Sequence, residues 1–138
     1  MEININKYLG KWYEIARIPN EFELNMVNVT AEYSLLDDGN ILVVNSGFIN
    51  NVYKSITGMA KTTEQDDTLK VSFFTGIEFN YKILVIEENY EYALVGGDDE
   101  NHLWLLGRTP YISLTEYNVF LKYAKNKGYN IEKMKITP

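Results

Sequence analysis

The chain has 138 residues, enough for one domain with its own core, and its balance of 46% hydrophobic to 23% charged residues is ordinary for a globular domain. Its 13 basic and 19 acidic residues give a formal net charge of −6, which argues against nucleic acid or an anionic membrane surface as a main partner. The absence of cysteine excludes disulfide scaffolds, thiolate metal sites and Cys nucleophiles, and no apolar run approaches the roughly 18 residues of a spanning helix.

The first informative stretch is 8–19, YLGKWYEIARIP. Gly10 has no side chain, so backbone or a ring can approach it closely. By strand alternation Trp12, Glu14 and Ala16 share one face, and Tyr13, Ile15 and Arg17 the other. A large ring this early suggests a plug at one end of a closed sheet. No signal peptide precedes Ile3, and the chain starts almost at its first strand. The expectation is therefore a cytoplasmic protein, or an envelope protein whose leader or lipid anchor is missing here.

Residues 20–28, with Phe22 and Met26, read as a loop over one end of the sheet. Short strands follow at 29–36, 41–49, 53–61, 69–74, 79–87, 92–96 and 103–108. The joints carry turn residues: Asp37-Asp38-Gly39-Asn40, Asn50-Asn51, Asp66-Asp67, Gly76, Asn89 and Gly97-Asp98-Asp99. Eight strands in hairpin succession predict an all-β, antiparallel up-and-down barrel, at about 8–108. Beyond Pro110 the pattern changes. Ser113 and Glu116 make a capping-box spacing, and Tyr117, Phe120, Leu121 and Ala124 form one apolar stripe. With Lys122, Lys125 and Lys127 towards its end and Gly128 after it, this predicts one helix at 114–127 packed outside the barrel. Residues 129–136 read as a closing strand, completing a single domain over 1–138.

In a barrel each strand alternates between lumen and exterior. The lumen set is then Ala31, Tyr33, Val43, Asn45, Ile56, Gly58, Val71, Phe73, Tyr81, Ile83, Tyr92, Leu94, Trp104 and Leu106, together with Trp12, Glu14 and Ala16. Small residues are interleaved with rings. Such side chains either meet and fill the barrel, or wall a cavity suited to an acyl chain or a flat apolar molecule.

Three separated pieces now agree: GKWYEIARIP, EENYEYALVGG at 87–97 and LWLLGRTP at 103–110. Together they resemble the three-motif pattern of kernel lipocalins, in the register of bacterial outer-membrane lipocalins and animal lipocalins of the apolipoprotein D type. The resemblance implies an eight-stranded calyx, open at one end, that binds and carries small hydrophobic molecules. For the bacterial branch these are fatty acids or lysophospholipids. It implies that Gly10, Trp12 and Arg108 build the closed end, with Trp12 under Arg108 in a cation–π contact. Carried over by position, the ligand-binding residues are Ala31, Tyr33, Val43, Asn45, Ile56, Val71, Phe73, Trp104 and Leu106. Alternation adds Tyr81 and Tyr92, and Phe22 and Met26 fall near the mouth. No cofactor and no metal are implied. Bacterial members carry a lipoprotein leader with an acylated Cys, absent here, so membrane association is expected only if such an anchor is missing from this sequence. A monomer or weak dimer is expected.

Three classes of function remain open at this stage. The first is a non-enzymatic carrier, in which Glu14 has a structural or selectivity role. The second is a filled barrel acting as a protein-interaction module. The third is a lipid-modifying or haem-binding barrel, for which His102, the only histidine, is the one candidate ligand. Cytoplasmic fatty-acid-binding proteins carry their helices between the first two strands, unlike the helix expected here after the eighth.

Overall fold

A computed structural model describes residues 3–20, 25–65, 67–73 and 78–138. The positions of Phe22, Asp66, Phe74 and Gly76 lie outside these. The elements are α1 (Ile5–Tyr8), β1 (Gly10–Arg17), β2 (Val27–Leu35), β3 (Ile41–Ile49), β4 (Val52–Thr62), β5 (Thr68–Phe73), β6 (Glu78–Ile86), β7 (Tyr92–Gly96), β8 (Leu103–Gly107), α2 (Leu114–Asn126), a 3₁₀ turn (Ile131–Lys133) and β9 (Lys135–Ile136). From β1 to β8 each strand pairs antiparallel with the next, and β8 returns to β1, which closes the barrel.

The local chemistry explains the hairpins. Asn50 and Asn51 have φ of 50° and 65° between the paired residues Ile49 and Val52. Asparagine tolerates this left-handed backbone, and a two-residue turn of that kind matches the twist of the strands it joins. The short α1 was not expected from the sequence. It is one turn, capped by Asn4, whose side chain accepts from the Asn6 amide at 3.1 Å. One turn is too short to show a helical period.

At the open end β1 and β2 part. Their pairing runs from Gly10–Tyr33 to Tyr13–Thr30, and beyond it β9 takes the place beside Ala16 and Arg17. The Thr137 amide donates to the Ile15 carbonyl at 2.9 Å, and the Asn28 amide to the Pro138 carbonyl at 2.7 Å. The closing strand is thus confined to two residues, and it fills a wedge in the wall.

The barrel carries two apolar cores. One fills its lower lumen around Trp12, Tyr33, Val71, Tyr81 and Leu106. The other lies outside, where Phe120 and Ala124 of α2 pack on Ile15, Ala16, Leu94, Leu103 and Leu105. Ser113 caps α2: its Oγ accepts from the Glu116 amide at 3.1 Å and donates to Glu116 Oε1 at 3.2 Å. Ser113→Ala is expected to cost about 1 kcal/mol, read as a lower urea midpoint with an unchanged slope. An unchanged midpoint would mean that packing alone holds the helix.

Two expected orientations are corrected. First, Tyr92 and Leu94 do not face the lumen. Ala93 pairs with Leu106 and Val95 with Trp104, so Ala93 and Val95 face inward, while Tyr92 and Leu94 lie under α2. A strand buried on both faces shows no apolar–polar alternation from which to set its register. Second, Ala16 faces outward. The β1–β8 register shifts between Glu14 and Ala16, so Glu14 pairs with Leu106 and Arg17 with Trp104. This bulge turns Arg17, expected outside, to the inner side with Glu14.

Candidate functional site: an apolar calyx closed by Trp12 and Arg108

The closed end is built from β1, α1 and the end of β8. Trp12 is fully buried, and its indole N–H donates to the Tyr8 carbonyl at 2.8 Å. The Arg108 guanidinium lies over the ring, with Cζ 3.7 Å from its centroid. Arg108 also donates to the carbonyls of Lys7, Leu9 and Lys11 at 2.9, 3.0 and 2.9 Å, and through Nε to that of Tyr90 at 3.2 Å. Helix-end carbonyls have no partner within the helix, and here the guanidinium serves those of α1. Gly10 sits beside it with φ +101°, and a Cβ there would stand 3.4 Å from Arg108 Nη1. The positive φ and the close approach both favour glycine.

Above this floor lies a cluster of phenols. Tyr33 donates to the Tyr81 hydroxyl at 3.0 Å, and the Tyr81 and Tyr8 hydroxyls bond to each other. Burial, with Tyr33 adding to it, pushes the Tyr8 and Tyr81 phenols well above their ordinary value of 10.0. Both are therefore neutral in the folded state. A raised folded value gives stability that is complete below the unfolded value and is lost as pH rises above it. Stability is expected to fall from about pH 10 upward, with tyrosinate absorbance from this cluster appearing only on unfolding. The Tyr8→Phe/Tyr81→Phe variant should show a shallower alkaline loss. An equal loss would place its cause elsewhere.

Above the phenols the lumen is hollow. The cavity measures about 160 Å³, many times the roughly 10–15 Å³ that one water needs. Ten of the eleven sequence candidates line it: Ala31, Tyr33, Val43, Asn45, Ile56, Val71, Phe73, Tyr81, Trp104 and Leu106. Tyr92 does not; it lies under α2 and donates its hydroxyl to the Tyr111 carbonyl at 2.6 Å. Ile56 is 42% exposed although it lines the cavity, so the space reaches solvent at that end. Gly58 lets the Phe73 ring lie against β4, since a Cβ there would stand 2.6 Å from that ring.

Met26 also lines the cavity, as do Val29, Thr30, Phe79 and Val95, which the sequence reading did not name. Phe79 shares the parity of Tyr81 and could have been found that way. Val29 and Thr30 are sequence neighbours on one wall because the β2–β3 register shifts between Val27 and Thr30, which alternation cannot foresee.

One charged residue lines the cavity among the described residues: Glu14. Its Oε2 accepts from Arg17 Nη1 at 2.9 Å and from the Thr137 hydroxyl at 2.9 Å. Arg17 Nη2 donates to the Met26 carbonyl at 2.9 Å. Glu14 and Arg17 are 8% and 7% exposed, so this is a buried ion pair. His102 does not line the cavity. It sits in the β7–β8 turn, with Nδ1 3.8 Å from Asp99 and its ring 6.1 Å from that of Trp104. Among the described residues no three His, Asp or Glu side chains are grouped to hold a metal.

A closed eight-stranded barrel with a helix outside and a mostly apolar cup inside is the architecture of a small-ligand calyx. The comparisons with known proteins agree. The model of the lipocalin-like domain matches residues 3–138. The chain is 40% identical over 132 residues to the outer membrane lipoprotein Blc of Citrobacter freundii, covering 93% of this chain and 75% of that one. It is 33% identical over 147 residues to apolipoprotein D of Bos taurus, covering 97% and 76%. Among solved structures, lobster apocrustacyanin A1 superposes with a TM-score of 0.80 at 18% identity, over 97% of this chain and 78% of that one. The chain belongs to the lipocalin-like family, whose members bind small hydrophobic ligands.

Proposed function

We propose that this lipocalin binds and carries single-chain lipids, fatty acids or lysophospholipids, in its calyx, and that it does so without chemistry. The observation that carries the reading is the hollow, solvent-reaching, mostly apolar lumen above the phenol cluster. Burying an acyl methylene yields about 0.8 kcal/mol, only part of which survives ordering costs as affinity. A lumen filled by its own side chains would offer no such site, which counts against the protein-interaction reading. The lining offers apolar walls, phenols held neutral and a carboxylate tied to an arginine, a set suited to holding a lipid rather than reacting with it. His102 lies off the cavity beside an acidic turn, which gives haem ligation no support.

Trp104 provides the test. A naturally fluorescent fatty acid taken into the calyx should receive energy from Trp104 and from Trp12 beneath it, and the transfer should fall in Trp104→Phe while uptake persists. Uptake with no energy transfer from either tryptophan would place the lipid outside the calyx.

A further inference from the structure

On the reading that the calyx carries single-chain lipids, we infer that the C-terminal tail, residues 135–138, is a side gate of the calyx. Its release opens a window between β1 and β2 through which ligand enters and leaves, and the bond from Thr137 to Glu14 is the latch. The window follows from where the strands part. The ladder between β1 and β2 ends at Tyr13–Thr30, and nearer the mouth Arg17 Nη2 donates to the Met26 carbonyl. Between these two ties, among the described residues, backbone bonds link β1 to β2 only by way of the tail. The Thr137 amide donates to the Ile15 carbonyl, and the Asn28 amide to the Pro138 carbonyl. Both lips of the window line the cavity, Glu14 on one side and Met26, Val29 and Thr30 on the other, whereas no tail residue does. Taking one strand from between two others leaves them roughly 10 Å apart, room for an acyl chain to slide in sideways.

The tail can leave while the barrel stays. Met134 packs on the core under α2, but none of the four residues after it belongs to either apolar core. Ile136 is 59% exposed. The tail's ladder with β1 is two pairs long, Ala16–Ile136 and Arg17–Lys135. A segment with so few buried contacts opens locally at far lower cost than the whole fold. Its one bond to a charged group is from Thr137 Oγ1 to Glu14 Oε2, at 2.9 Å, and bonds of that kind are the strong ones. The latch therefore sits on a residue of the cavity wall. The competing route is the mouth beside Ile56, and kinetics separate the two. A gate lies on the path and not at its ends, so loosening it raises the rates of entry and exit together and leaves Kd unchanged. Damage to the pocket changes Kd.

The experiment is stopped-flow uptake and release of the fluorescent dye N-phenyl-1-naphthylamine, with release driven by excess oleate. Thr137→Val keeps the shape of the side chain and removes the latch hydroxyl. It should raise both rates on the order of tenfold, the worth of one bond to a charged group, at a nearly unchanged Kd. The opposite change is a lock. The chain has no cysteine, so Asn28→Cys/Pro138→Cys places its only two thiols where the tail meets β2. The oxidised protein should exchange dye at least tenfold more slowly than the same protein after reduction. Where mass spectrometry finds the disulfide unformed, the rates of Thr137→Val decide the matter. Rates unchanged by the substitution, or equal in the oxidised and reduced forms, would overturn the gate and leave the mouth as the route, with the carrier reading intact. No uptake of dye or oleate by the unaltered protein would overturn the carrier reading and the gate with it.

Discussion

Replacing Trp12 with alanine should lower stability by about 4 kcal/mol, the range for emptying a fully buried large ring. Trp12 is wholly enclosed, so its loss leaves a hole under the barrel. It also removes the ring beneath Arg108 and the donor to the Tyr8 carbonyl. Domains of this size are stable by about 5–15 kcal/mol, so the variant should sit near the limit of folding. Its melting temperature should fall by on the order of 15 °C. Trp12→Phe separates the contributions, since it keeps a ring for the guanidinium but loses the indole N–H. It should recover about half of the loss. A fall below about 1 kcal/mol for Trp12→Ala would mean that the Arg108 bonds to α1 close the barrel without the ring.

The second large effect is expected at the mouth. Arg17→Met leaves Glu14 in a nearly dry site without its cation and should cost about 3 kcal/mol. The pair is short, at 2.9 Å, and both members are buried, so solvent screening does not erase it as it would on the surface. The paired substitution Glu14→Leu/Arg17→Met should restore most of the stability, because replacing a buried ion pair with packed apolar groups is often neutral. The urea midpoints of the two single variants and the double variant form a cycle that isolates the coupling. Losses that simply add would show that Glu14 and Arg17 act independently.

Much of the fold was legible in the sequence because its signals are local. Asn50-Asn51 and the Asp37–Asn40 turn mark hairpins, and Ser113 with Glu116 marks the start of a helix; each needs only a few neighbouring residues to be read. Alternation placed most of the cavity wall, because β2, β3 and β5 carry one solvated face and one buried face. It failed on β7, where α2 covers the outer face and YALVG reads as apolar on both sides. It failed again at the Glu14–Ala16 bulge, which carried Arg17 to the inner side. A bulge is a property of two paired strands, so a single strand's pattern does not announce it. The Glu14–Thr137 contact spans 123 positions, and nothing in either local sequence points to the other. The charged feature of the lumen was therefore the part least readable in advance.

A calyx that carries single-chain lipids should hold one in the purified protein. Native mass spectrometry of the purified chain, with extraction and identification of whatever leaves it, tests this most directly. The expected result is a one-to-one complex heavier by the mass of one single-chain lipid, which the extract then contains and a fluorescent fatty acid displaces. A spectrum of empty protein that also takes up no added lipid would rule out lipid carriage, leaving a lipocalin barrel whose cavity serves something else.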